Sequence, residues 1–139
     1  MKSALVTIYA ALACGCAQSW DEVVRVSSPN GKLDGVVLET SGGAATSYSY
    51  QVHIVESGKK AKGDSPAAAS LYGAIRNDSA YGVNLRWESD ATLFVEYFKA
   101  QRVSQVIGPT TVKVALRDGI VDPSAPSGGM FYNLRNPQK

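Results

Sequence analysis

Few residues of this chain have types and spacings that could support catalysis. His53 is the only histidine, and a histidine general base needs a nucleophile within hydrogen-bond reach, which no motif here supplies. Glu88 and Asp90 stand two residues apart in a predicted turn, whereas a hydrolytic carboxylate pair needs a set separation across a cleft. The HExxH, GxSxG, P-loop and dinucleotide-binding motifs are all absent. We therefore predict a protein that is not an enzyme, and a small hydrolase using His53 or Glu88 is our third hypothesis.

Metal and cofactor chemistry has equally little support. The acidic residues are scattered, whereas a calcium site needs about six to eight oxygen ligands. Both cysteines, Cys14 and Cys16, precede the body of the chain, which therefore has no disulfide, thiolate zinc site or cysteine nucleophile. The glycine-rich stretch 41–47 leads into a predicted strand rather than the helix that phosphate binding requires. We predict no metal and no cofactor.

The charge balance argues against a nucleic-acid partner. The chain has 14 basic and 12 acidic residues, and no basic run that would follow a phosphate backbone. The one small basic cluster is Lys59, Lys60 and Lys62, in the polar stretch 56–66. We expect a solvated loop there, whose lysines could touch an acidic lipid or polysaccharide only weakly.

The N-terminus has the pattern of an export signal. Lys2 is followed by an unbroken apolar run over residues 4–13, the length of a secretory signal core and too short to span a bilayer. The small residues Ala13, Gly15 and Ala17 flank the two cysteines, and the segment resembles a bacterial lipoprotein signal, which is cut before a cysteine that is then lipidated. The resemblance implies a signal segment over residues 1–16 and lipidation at Cys16, with Cys14 as the alternative.

The consequence of lipidation would be a stable membrane anchor, because each buried CH₂ contributes about 0.8 kcal/mol and more than one acyl chain enters the bilayer. We expect a bacterial cell-envelope protein facing the periplasm or the exterior, with Ala17 leaving an outer-membrane destination open. Two alternatives remain. An ordinary signal peptidase could cut before Gln18 or before Cys14 and release a soluble secreted protein. The apolar run could also be a short strand of a cytoplasmic protein.

The body of the chain, residues 17–121, has the patterns of an all-β domain. In the stretch 81–98, Tyr81, Val83, Leu85 and Trp87 alternate with polar residues, and the return strand is apolar on both faces, which predicts a central hairpin. Further strands are predicted over 22–27, 33–40, 48–55, 70–75, 111–116 and 120–121, whereas the polar run 99–105 gives no strand prediction. The expected fold is a small antiparallel β-sandwich or barrel of about seven or eight strands, followed by an irregular tail over 122–139.

A tight turn joins the first two predicted strands, with the sequence Ser-Pro-Asn-Gly-Lys at 28–32. Together with Trp-Glu-Ser-Asp at 87–90, this turn resembles the Ser-Pro-Asp-Gly repeats of TolB-type β-propellers, and also small uncharacterised bacterial lipoproteins that carry such a turn. The turn occurs once, without a repeat of about 40 residues, so a full propeller is excluded.

The functional prediction follows from these patterns. We expect a non-enzymatic lipoprotein of the envelope, acting as a binding or structural module with a protein partner there. Its candidate binding surface is Tyr48, Tyr50, His53 and Trp87, although His53 falls on a polar strand face and aromatic residues at strand spacing more often pack in a core. The alternative is an inhibitor of a secreted hydrolase, of the lysozyme or protease type, that inserts the loop 41–47 or 56–66.

Overall fold

The computed structural model describes residues 18–77, 80–105 and 111–121, apart from the side chain of Tyr81. The predicted lipidation sites Cys14 and Cys16, and the predicted tail from residue 122, lie outside the described residues. The described part is all-β, as predicted, and contains no helix. Its strands are β1 (Asp21–Ser27), β2 (Leu33–Ser41), β3 (Tyr48–Glu56), β4 (Ala69–Tyr72), β5 (Arg76–Asn77), β6 (Ala80–Tyr81), β7 (Asn84–Ser89), β8 (Thr92–Glu96), β9 (Arg102–Gln105) and β10 (Lys113–Arg117).

The strands form two main sheets that pack face to face. One sheet has five antiparallel strands in the order β1-β2-β3-β4-β9, and the other has three in the order β10-β8-β7. β10 pairs with β8 in parallel, whereas the other pairs are antiparallel. β5 and β6 form a separate two-residue pair. Within the described ranges neither sheet closes on itself, so the architecture is the sandwich rather than the barrel of the sequence prediction.

The core lies between the sheets. Val37, Val52 and Leu71 of the large sheet and Leu93 and Val95 of the small one are at most 2% exposed. Gly35 of β2 lies where the sheets are closest, because a Cβ there would stand 3.1 Å from Cδ1 of Leu85. Burial of apolar surface at about 25 cal/mol per Å² makes this layer the main source of stability.

The central hairpin has the predicted form, with β7 and β8 joined at residues 90–91. β8 is the central strand of its sheet, as its two apolar faces predicted. Trp87 is partly buried against the core and donates its indole N–H to the carbonyl oxygen of Val26 at 3.0 Å. The prediction that Trp87 packs in the core is therefore confirmed.

The outer face of the large sheet is also covered over β1 and β2, which the strand pattern does not predict. Every β2 residue from Asp34 to Thr40 is buried. Asp34 accepts hydrogen bonds from the Arg25 guanidinium at 2.7 Å, from the Ser27 hydroxyl at 2.8 Å and from the Gly58 backbone N–H at 2.9 Å. The segment 57–68 contains most of the loop predicted at 56–66, and this network holds its first residues over β1 and β2.

His53 lies on this covered face, next to Val36 of β2, and is 4% exposed. The prediction of a surface histidine is therefore wrong. The error has a physical cause: alternation along β3 identifies two faces, but it does not reveal that a loop buries the polar one.

None of the described residues forms a helix long and apolar enough to cross a membrane.

Candidate ligand-binding groove

A groove of about 580 Å³ lies on the outer face of the large sheet, where the covering segment ends and β3, β4 and β9 continue to the sheet edge. Its lining residues are Trp20, Ser49, Tyr50, Gln51, Ser70, Leu71, Tyr72, Arg102, Val103 and Ser104.

Strand register builds the floor of the groove from two rows of outward-facing side chains. The first row is Ser49, Tyr72 and Arg102, paired across β3, β4 and β9. The second row is Gln51, Ser70 and Ser104, two residues along each strand. Since adjacent strands lie about 4.8 Å apart, neighbouring side chains within each row are spaced at about that distance.

Trp20 forms a wall of the groove and is held from two directions. The Thr40 hydroxyl donates a hydrogen bond of 2.6 Å to the carbonyl oxygen of Ser19, which fixes the backbone just before the tryptophan. On the other side, Gly63 of the covering segment lies directly against the indole, since a Cβ at residue 63 would stand 2.5 Å from Cγ of Trp20. The groove wall is therefore preorganised by backbone contacts.

Arg102 and Tyr72 form the opposite part of the groove. The guanidinium carbon of Arg102 lies 4.7 Å from the centroid of the Tyr72 ring, a cation–π distance. The Tyr72 hydroxyl accepts a hydrogen bond of 3.2 Å from the Ser47 backbone N–H, which fixes the ring. Among the described residues Arg102 forms no ion pair, so its planar donor array faces the groove without a carboxylate.

Gln51 connects the groove to the buried histidine. Nε2 of His53 lies 2.9 Å from Oε1 of Gln51, and when Nε2 carries the proton the amide N–H₂ of Gln51 is left for a ligand. Burial lowers the pKa of His53 below its ordinary value of 6.5, so the ring is neutral at pH 7.

The four residues of the predicted binding surface do not come together in this groove. Tyr50 is among the residues that line the groove but is only 1% exposed, and His53 is 4% exposed, so neither side chain offers a binding surface. Trp87 packs on the core at the edge next to β1. Tyr48 is 38% exposed, and the Arg76 guanidinium lies 4.1 Å from its ring centroid, outside the lining of the groove.

A buried polar cluster lies beneath Tyr48. Arg76 forms an ion pair of 3.2 Å with Oε1 of Glu39, whose side chain is 3% exposed. Among the described residues, no hydrogen bond of good geometry reaches Oε2 of Glu39 or the Tyr50 hydroxyl, although these two groups lie close enough to each other to shift each other's pKa. Burial raises the pKa of Glu39 above its ordinary value of 4.5, and burial also raises the pKa of Tyr50. This cluster is a buried ion pair with spare hydrogen-bonding capacity rather than an open site.

Sequence reasoning missed Trp20, Tyr72 and Arg102 as groove residues. Trp20 precedes the first strand in isolation, and only the fold brings Gly63 and β4 beside it. The one available signal was that Trp20 is one of two tryptophans.

The geometry does not support the hypothesis of a small hydrolase, since His53 and Glu88 belong to different sheets. Within the described ranges no three His, Cys, Asp or Glu residues cluster as metal ligands would.

The chain matches no protein-family model, no curated protein and no solved structure at a significant level.

Proposed function

We propose that the protein is an exported, lipid-anchored binding module of the bacterial cell envelope, and that it binds its ligand in the groove between Trp20 and Arg102. The observation that carries the proposal is the groove itself. It combines an aromatic wall fixed by Gly63 with a floor of hydroxyl, amide and guanidinium groups. Binding sites typically join apolar surface to a few converging polar groups in this way.

The location rests on the first 17 residues. The apolar run 4–13 and the small residues around Cys14 and Cys16 have the pattern of a lipoprotein signal. With Cys16 lipidated, only three residues would separate the anchor from Trp20, and four would separate it from the start of the sheet at Asp21. The domain would then sit close to the membrane surface, where envelope polymers and envelope proteins are within reach.

The proposal is tested by measuring how much of the protein is retained on cell-wall polymer, in detergent so that the lipid anchor does not contribute. The protein, as processed by a bacterial host, is extracted in detergent and incubated with detergent-washed cell-wall polymer from that host. We expect the wild-type protein to be retained on the polymer and the Trp20→Ala variant to be washed off it. Arg117→Gln is the control, because Arg117 also stacks on an aromatic ring, that of Phe94 at 4.5 Å, but on the small sheet. Equal behaviour of all three proteins would contradict a role for the groove.

A second candidate function is inhibition of a secreted hydrolase, and one observation favours it. Residues 42–46 at the tip of the β2–β3 hairpin are all exposed and project as a loop that an enzyme cleft could accept. The other loop considered, 56–66, is held on the sheet by Asp34. A lysozyme or protease assay tests this function, and weak inhibition at micromolar protein would count against it.

A further inference from the structure

The groove differs from the rest of the protein surface in its hydrogen-bonding character. Within the described part of the chain, the Trp20 indole N–H, the Arg102 guanidinium and the hydroxyls of Ser49, Ser70 and Ser104 have no protein acceptor, and no carboxylate lines the groove. These groups present donors to solvent. The Trp20 indole and the Arg102 guanidinium can only donate, and the serine hydroxyls can donate as well, so the groove favours a ligand with oxygen acceptors.

The arginines of the opposite sheet show what is unusual about Arg102. Arg86 lies 3.1 Å from Oε1 of Glu96, and Arg117 lies 3.9 Å from the same oxygen. Both also stack on Phe94. Arg102 has the same aromatic stacking, but none of the described residues gives it a carboxylate partner. A stacked guanidinium keeps its N–H edge free for bidentate binding, and its preferred partner is a carboxylate.

The segment that holds Trp20 adds further positive charge. Lys59, Lys60 and Lys62 are exposed, and Lys62 immediately precedes Gly63, which lies against the indole. Asp64 is the one acidic residue among them. A basic rim of three exposed lysines therefore lies on the segment that contacts the aromatic wall.

From this arrangement we infer that the ligand is an acidic glycan, an oligosaccharide or polysaccharide bearing carboxylates. The flat apolar faces of sugar rings pack on aromatic rings such as Trp20 and Tyr72, which are apolar over their faces and polar at one edge. Sugar hydroxyls and ring oxygens accept from the serine and glutamine ladder. One carboxylate pairs with Arg102, and others along the chain lie near the lysine rim.

This inference rests on the proposed function and specifies the ligand class of the same groove. The test is isothermal titration calorimetry of the host-processed protein with four probes: tetragalacturonate, the neutral glycan cellotetraose, the acidic peptide tetraglutamate, and vesicles containing phosphatidylglycerol. We expect tetragalacturonate to bind at least tenfold more tightly than the other probes, with an affinity that falls as salt is added.

Substitutions assign the binding to the groove. Arg102→Gln should weaken tetragalacturonate binding by at least tenfold, whereas Arg117→Gln removes the same charge from the opposite sheet and should leave it unchanged. Arg102 is exposed on an edge strand, so the variant is expected to fold. Trp20→Ala should weaken both glycans, because it removes the stacking surface that they share.

The remaining outcomes distinguish failure of the glycan assignment from failure of the proposed function. If tetraglutamate or the vesicles bind as tightly as tetragalacturonate, charge alone governs binding and the glycan assignment is overturned. If cellotetraose binds equally well, or if none of the probes binds, the acidic glycan is overturned while the groove remains a site for another ligand. Binding that is unaffected by both Trp20→Ala and Arg102→Gln would place the ligand elsewhere and overturn the proposed function as well.

Discussion

Gly63→Ala tests whether the covering segment holds Trp20 in place. An ideal Cβ at residue 63 would overlap Cδ1 and Nε1 of the indole and lie 2.5 Å from Cγ, whereas real Cβ contacts essentially never fall below 3.0 Å. The indole must therefore retreat by at least about 0.5 Å at Cγ, and by more at its pyrrole edge. Gly63 does not have a positive φ, so alanine causes no backbone strain of its own.

The expected cost follows from the absence of space. Overpacking of this kind typically destabilises a protein by about 1–3 kcal/mol. In a Trp20→Ala background the obstructing ring is gone, and the same substitution should instead stabilise by about 0.4–1 kcal/mol, because alanine restricts the unfolded chain more than glycine does. The sign of the effect should thus reverse between the two backgrounds.

The assay is urea denaturation of the four proteins of this double-mutant cycle, followed by circular dichroism so that loss of Trp20 fluorescence does not interfere. The proteins are the wild type, each single variant and the double variant. Lys62→Ala, at the exposed neighbouring position, is the control and should change the unfolding free energy by less than about 0.5 kcal/mol. An equal cost of Gly63→Ala in both backgrounds would refute the contact between Gly63 and the indole.

Three further predictions concern stability. Asp34→Ala should cost about 2 kcal/mol in urea denaturation, because it leaves the Gly58 N–H and the Ser27 hydroxyl without their acceptor, whereas the Arg25 guanidinium keeps its ion pair with Glu22; a loss below about 1 kcal/mol would show that the network does not hold the covering segment. Burial lowers the pKa of His53 below 6.5, so on acidification the unfolded chain binds a proton that the folded chain does not. The free energy of unfolding of the wild type should therefore fall as the pH drops from 7.5 to 5, and His53→Gln should reduce this slope. Equal slopes for the two proteins would contradict the burial of His53. Trp87→Ala should cost about 3 kcal/mol, the lower end of the range for tryptophan truncation, because the ring is only partly buried. Trp87→Phe should cost about 1 kcal/mol, because it loses the hydrogen bond to the Val26 carbonyl oxygen. Unchanged denaturation curves would show that Trp87 is not part of the core.

Strands with one apolar face could be predicted from the sequence, because alternation reports directly on packing. β3 and the β7–β8 hairpin were found in this way, and so was the turn at 28–32, where Gly31 has the positive φ (71°) that the Asn-Gly pair suggested. β9 could not be found. All four of its residues are exposed, so backbone pairing with β4 alone makes it a strand.

The outer face of the large sheet marks the limit of pattern reasoning. Asp34, Thr40 and His53 are polar, and a strand pattern assigns polar residues to solvent, yet all three are at most 4% exposed. The burial of Asp34 and Thr40 is possible because the segment 57–68 and the backbone before β1 supply hydrogen-bond partners from distant parts of the sequence, whereas His53 is hydrogen-bonded to Gln51 of its own strand. The same long-range packing places Trp20 over β3 and β4. The groove is therefore a product of tertiary structure that no local motif encodes.

The parallel pairing of β10 with β8 shows a related limit. The alternation in 111–116 predicts a strand, but it contains no information on direction or partner. In the fold Val114 lies beside Leu93 in the register of the small sheet. Topology of this kind depends on the whole chain rather than on the strand itself.

The intact mass of the protein recovered from the membrane fraction of a bacterial host tests directly whether the protein is exported and lipidated. We expect a chain that begins at Cys16 and carries acyl groups, which would anchor the groove beside the membrane. A chain beginning at Gln18 or at Cys14 without lipid would replace the anchored module with a secreted one and favour the inhibitor hypothesis. An uncleaved chain that still begins at Met1 would contradict export, and with it the proposed function in the envelope.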